Sequence, residues 1–295
     1  KNINNKHIKT IFINKEKPIN KIIKLPKLIF EIHNYIKNSK NKLVVIEGAS
    51  WIFYSFITIF FLKLTLNNCK IIYISHSIES EIRNKFSNKA IFFLTKFLEN
   101  LVFKFADFST AVSAREKNKI LKLYNKKTKL YPNAITINQK KFLKNIYQDY
   151  IIYSGSYLYK PNKDAIDFLN QEIMPVIIKK FPKIKLLLTG GGYKEKFPWL
   201  INKGIVPKKE LYNLIYNSKF MCVPLRFGSG TRIKIIEALS LGTIVISTSK
   251  GIEGIKIYKK NPPFVANSKI KMIKLIYKTI RNFSEIKKKS LERKN

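Results

Sequence analysis

The chain has 295 residues, 45% of them hydrophobic, which is enough to fill the cores of two ordinary domains and excludes a disordered protein. Lys and Arg number 57 against 18 Asp and Glu, a formal charge of +39, and such an excess by itself points to nucleic acid or an anionic membrane. The charge is spread from end to end in a lysine-, asparagine- and isoleucine-rich chain without an RNA-binding aromatic motif, zinc-ligand spacing or isolated basic arm, so much of it reads as compositional drift.

The sequence opens at Lys1 with no signal peptide, and the expectation is a partial sequence lacking something N-terminal. Leu43 to Ile46, Ile71 to Ser75 and Phe108 to Val112 read as short β-rich runs, each followed by a helical stretch, the pattern of a parallel α/β sheet. Between the first two lies the longest apolar run, Trp51 to Leu62, shorter than the roughly 18 to 20 residues that span a bilayer. Its aromatic residues suit a helix packed in the core, or one that dips into a membrane interface. Tyr131-Pro132-Asn133-Ala134 ends the first half, and the expected boundary falls near residue 145, giving domains 1–145 and 146–295. The second half repeats the scheme with Tyr150 to Tyr153, Lys185 to Thr189, Phe220 to Val223 and Thr243 to Ser247, helices starting near Lys163 and Lys208, and a helical tail. Two doubly wound, Rossmann-like domains facing a cleft are implied. Cys69 and Cys222 fall in different halves, which argues against a disulfide and fits a reducing compartment.

Chemistry concentrates between Val223 and Thr248, where a strand end, a glycine-rich turn, a helix and another strand follow one another directly. Gly228 and Gly230 let the backbone approach a ligand closely, and Thr231 is placed to cap the next helix. A phosphate there gains from the helix N-terminus, and Arg232 and Lys234 add positive charge in the first turn, where cations otherwise suit a helix poorly. The other reading of both is a pair of solvated surface groups. Glu237 sits in an apolar run and needs a partner, either Lys234 or the hydroxyls of a ligand such as a ribose. Gly155, the triplet beginning Gly190-Gly191, and Gly228 with Gly230 each follow a predicted strand, so three glycine clusters form one rim at the carboxyl ends of the sheet.

GSGTRIKIIEA resembles the nucleotide-sugar segment of family 4 (group 1) glycosyltransferases of the GT-B fold. The resemblance continues in YSGSYLYKPNKDAIDFL, KLLLTGGGYKE, GIVPKKELYNLIYNSKF and STSKGIEGI, covering Tyr153 to Ile255, with a weaker echo in YISHSIESEI, FADFSTAVSAREKNKIL and LYPNAI. It implies a nucleotide-diphosphate sugar donor in the C-terminal domain, held by Gly155, Ser156, Gly190, Gly191, Gly228, Ser229, Gly230 and Thr231, with Ile205 and Val206 meeting the base. Arg232, Lys234 and Glu237 would serve the diphosphate and ribose, while His76 would face donor sugar and acceptor, which Glu79 would contact unless it is only a helix-start acid. It further implies retention of anomeric configuration and transfer to a glycan or lipid-linked acceptor in surface polysaccharide synthesis. No metal or other cofactor and no specific nucleic acid are expected, and the location would be cytoplasmic, with peripheral association at an anionic membrane face.

The sequence also departs from the family. Ser229 stands where relatives have an acid that contacts the sugar, and Ser156 and Pro161 replace their diphosphate-binding arginine and lysine, with Lys160 a nearby substitute. The family's first strand and its glycine-rich loop are not visible before residue 40. The alternatives are therefore an inactive truncated transferase, or a non-catalytic basic module that binds polyanions or membranes.

Overall fold

A computed structural model describes residues 18–39, 42–48, 52–135, 148–228, 230–255 and 262–292. Within them the N-terminal half contains α1 (Pro18–Lys37), β1 (Leu43–Gly48), α2 (Ile52–Thr65), β2 (Lys70–Ser75), α3 (Glu79–Phe86), α4 (Lys89–Phe105), β3 (Phe108–Ala111), α5 (Ala114–Tyr124) and β4 (Lys129–Leu130). The sheet is parallel in the order β1-β2-β3-β4. Strands laid down in sequence by same-handed crossovers put their helices on one face. Ile71 and Tyr73 are buried on that face with Ile59, Leu62, Val102 and Phe103, whereas Leu43, Val45 and Phe108 on the opposite face are exposed. α2 carries the run that begins at Trp51, itself outside the described residues, and it is one-sided: Ile52, Ile59 and Leu62 are buried while Phe53, Phe60 and Leu64 are exposed. Among the described residues no helix is long and apolar enough to cross a membrane.

The second half contains β5 (Tyr150–Ser154), α6 (Lys160–Asp167), a π-helical turn (Phe168–Ile173), α7 (Met174–Lys180), β6 (Lys185–Thr189), β7 (Leu200–Asn202), α8 (Lys208–Asn217) and β8 (Phe220–Val223). There follow α9 (Ile233–Ser240), β9 (Val245–Ser247), β10 (Phe264–Val265), α10 (Lys269–Arg281) and α11 (Phe283–Glu292). All its strands are parallel in the order β10-β9-β8-β5-β6-β7. β5 and β8 are buried on both faces, as the continuous apolar runs require. The chain moves outward from β5 to β6 and β7, then returns to place β8 on β5's other side, so the order reverses between β5 and β8. In open α/β sheets such a reversal opens the crevice in which ligands bind. The tail helix α11 docks back on this domain, where Lys287 Nζ donates to Gly242 O at 2.9 Å. The sequence boundary near residue 145 lies outside the described residues. β4, β7 and β10 were not expected: two or three residues are too few to show a strand's alternation.

Candidate functional site

The glycine rim sits at the reversal point. Gly155 ends β5 and Gly190 ends β6, and they are pressed together: a Cβ on Gly190, at φ 112°, would come within 2.4 Å of the Gly155 carbonyl oxygen. Gly191 O accepts from Tyr157 N at 2.9 Å, and Ser156 Oγ accepts from Leu158 N at 3.3 Å, which fixes the turn after β5. Gly228 and Gly230, at φ 120° and 78°, follow β8, with Ser229 between them outside the described residues. Ile205 is 73% exposed against Gly191, with Val206 half-buried beside it, a lone apolar step at the rim's edge.

Thr231 does not cap the following helix, contrary to expectation. The helix begins at Ile233, Arg232 takes the cap position without a side-chain capping bond, and Thr231 Oγ1 is buried with no hydrogen-bond partner among the described residues. Arg232 is buried and donates from Nη1 to Gly230 O, so it braces the loop from beneath instead of standing in the first turn. Burial works against its charge, opposed by Tyr159, Glu116 and Tyr153.

Lys234 reaches back under β5. Its Nζ donates to Asn162 Oδ1 at 3.0 Å and Tyr153 OH at 3.2 Å, lies 4.3 Å from the Tyr153 ring centre, and would be 2.7 Å from a Cβ on Gly155. The stem is partly exposed but the amine is enclosed, and burial, followed by Arg232's repulsion, lowers its pKa to about 7. Lys234 does not pair with Glu237 at hydrogen-bonding distance. Glu237 Oε1 instead accepts from Tyr212 OH at 3.1 Å, and Lys208 lies over that tyrosine's ring at 5.5 Å.

The N-terminal domain closes over the loop. A Cβ on Gly230 would meet the His76 carbonyl at 2.7 Å, and His76 Nε2 lies 3.7 Å from Glu47 Oε2. Glu79 starts α3 but is turned away: its buried carboxylate faces the first turn of α2, 3.4 Å from Ile52 N. The sequence reading missed Glu116, whose buried Oε1 accepts from Gly230 N at 2.9 Å across the interface. Its only sequence signal is Ser113-x-x-Glu116, a capping-box spacing at the start of α5, where Ser113 Oγ does accept from Glu116 N at 3.2 Å. Burial raises the Glu116 pKa to about 7, opposed by the Gly230 N–H, Arg232 and Lys119, and reinforced by Glu81.

Around Glu116 the two domains interlock. Arg115 pairs with Glu253, Glu253 with Lys250 at 2.5 Å, and Lys119 with Glu81. Burial and the neighbouring cations Arg115, Lys119 and Arg232 lower the Lys250 pKa to about 8. Arg115, Lys119, Lys250 and Arg232 thus gather with Glu81, Glu116 and Glu253 around a loop whose Gly230 N–H already holds one carboxylate, which makes it a candidate anion site.

Two parallel-sheet domains that meet at their strand ends over a glycine-lined anion site define the GT-B architecture. Residues 148–281, a little under half of the chain, match the family model described as group 1 glycosyl transferases. The chain is 28% identical over 151 residues to an uncharacterized 44.6 kDa protein in the cps region of Klebsiella pneumoniae, a match covering 46% of this chain and 38% of that relative. It is also similar in structure to sucrose-phosphate synthase from Thermosynechococcus elongatus (TM-score 0.69, 16% identity, covering 96% of this chain and 75% of that one). HepE from Anabaena, in complex with UDP and glucose, is similar at TM-score 0.65 and 14% identity over 97% of this chain and 80% of its own. At these identities the structural likeness speaks for the fold.

Proposed function

We propose that the chain is a retaining glycosyltransferase that moves a sugar from a nucleotide-diphosphate donor to a glycan or lipid-linked acceptor in surface polysaccharide synthesis, working at an anionic membrane face. The observation that carries this reading is the enclosed Lys234 amine beneath Gly155, at the sheet's reversal point and next to the Gly228–Gly230 loop. An ammonium is buried at such a cost where an anion will come to meet it.

In this reading the donor diphosphate lies between the Gly155–Ser156 turn and the Gly228–Gly230 loop and takes over the Gly230 N–H that Glu116 now occupies. Arg232 and Lys234 stabilise the charge that develops on the leaving diphosphate, an electrostatic role that asks for no metal. Glu237, steadied by Tyr212, receives the ribose hydroxyls, and Ile205 and Val206 give the base its apolar step. His76, beside Gly230 on the opposite wall, meets the transferred sugar and the acceptor. Support for the donor class comes from HepE's UDP and glucose, and for a polysaccharide role from the relative's place in a cps region.

The test is acceptor-independent donor hydrolysis. Incubation with a panel of nucleotide-diphosphate hexoses is expected to release nucleotide from one of them, in the presence of EDTA, with the anomeric configuration retained by NMR. Release that needs a divalent cation, or inverted product, would contradict the mechanism, and no release from any donor would favour the inactive alternative.

A further inference from the structure

We infer that the outer face of α4 is the surface that docks on an anionic lipid bilayer. α4 is apolar on two faces. Leu98, Val102 and Phe103 are buried in the core, while Phe93, Leu94 and Phe97 face outward at 62%, 58% and 59% exposure. Their spacing of one, three and four residues stacks them on adjacent turns, so they form one patch where a soluble protein's helix normally turns charge to water. The patch borders a groove of about 500 Å³ between α4 and the end of α5, lined by Phe93, Phe97 and Leu123 with Lys96 and Lys122 at its rim.

Charge identifies the occupant. Between residues 82 and 130 the carboxylates are Glu99, Asp107 and Glu116. Glu99 is buried against the start of α3, Asp107 is paired with Lys63 at 2.6 Å and Lys70 at 3.4 Å, and Glu116 is held by Gly230. Lys89, Lys96 and Lys122 meet no carboxylate among the described residues. An exposed apolar patch framed by lysines, with every nearby carboxylate turned inward or paired, matches acyl chains below and anionic headgroups above. This rests on the membrane part of the proposed function and is independent of the donor site.

Because Cys69 and Cys222 are both buried, an introduced cysteine can be labelled selectively. Phe97→Cys and, at the exposed position 278 of α10, Lys278→Cys each receive an environment-sensitive fluorophore and are titrated with phosphatidylcholine vesicles with or without phosphatidylglycerol at physiological salt. The label at 97 is expected to shift to the blue and brighten severalfold with the anionic vesicles alone, the label at 278 to stay unchanged. Phe93→Ser with Phe97→Ser should weaken vesicle co-sedimentation at least tenfold, with circular dichroism and UDP binding unaltered. Anionic vesicles that bind without altering the label at 97 would overturn the α4 assignment and leave charge-driven adhesion elsewhere. Absence of binding to any vesicle would overturn the membrane reading with it, and a lipid-independent change that follows protein concentration would assign the patch to a second copy of the chain.

Discussion

At neutral pH Lys234 is poised between its two protonation states, and this follows from where its amine lies. Its pKa of about 7 stands below the ordinary 10.5, so the unfolded chain holds a proton that the folded chain sheds between those values, and folding gains stability as pH rises through that window. A diphosphate reverses the balance by favouring the charged form. Binding of UDP at pH 8 is therefore expected to take up close to one proton, read from how the calorimetric enthalpy varies with buffer. Lys234→Met should abolish that uptake while raising the stability of the empty protein by about 1–3 kcal/mol in urea titrations. Loss of stability in that variant would show that the amine is structural. Glu116 tests the same site from the other wall: ionised at pH 8, it competes with phosphate for the Gly230 N–H. Glu116→Ala is expected to tighten UDP about fivefold at pH 8, equivalent to roughly 1 kcal/mol, and less at pH 6, where the native carboxyl is largely protonated. Weaker binding at pH 8 would contradict the competition.

Among the elements, the segment that carries His76 is held by a buried carboxylate. Glu99 on α4 accepts from Glu79 N at 2.6 Å, Ser80 N at 3.2 Å and Tyr124 OH at 2.5 Å, joining the start of α3 to the end of α5. Burial raises its pKa, and the Tyr124 and Ser80 hydroxyls with the Glu79 and Ser80 amides pull it back. Glu99→Ala would leave two buried amides and a phenol without their acceptor, at a cost of about 3–5 kcal/mol in denaturant unfolding. A cost within 0.5 kcal/mol would mean that water replaces the carboxylate and that the loop is held otherwise.

The same elements show what the sequence could disclose. The strands β5, β6, β8 and β9 were legible because buried parallel strands are continuous apolar runs, whereas β1, β2 and β3, open on one face, were legible as short β-rich runs each followed by a helical stretch. The glycine clusters were legible because Gly155, Gly190, Gly228 and Gly230 take backbone angles closed to most residues. Glu99 and Glu116 were not, because a carboxylate's value here depends on partners far along the chain: Glu116 and Gly230 are 114 residues apart. Thr231 misled because hydroxyl capping depends on where the first turn starts, and the Gly230 contacts with Glu116 and Arg232 move that start to Ile233.

For the molecule as a whole, the site exists only because both domains contribute. Arg115–Glu253 and Glu116–Gly230 fasten the N-terminal domain to the loops of the C-terminal one, and the pocket at their junction is lined by Arg115 and Lys119 together with Glu81, Glu116 and Glu253. A charge of +39 draws any polyanion, so affinity alone carries little information, and base selectivity carries most of it. The direct measurement is calorimetric titration with UDP, GDP and inorganic diphosphate at moderate salt, on the native chain and on Arg232→Ala and Glu237→Ala. A built donor site predicts saturable binding that prefers one base, exceeds that of diphosphate alone, and is lost in both variants. Equal, salt-sensitive binding of all three anions, unchanged by either substitution, would contradict it and leave a basic surface in its place.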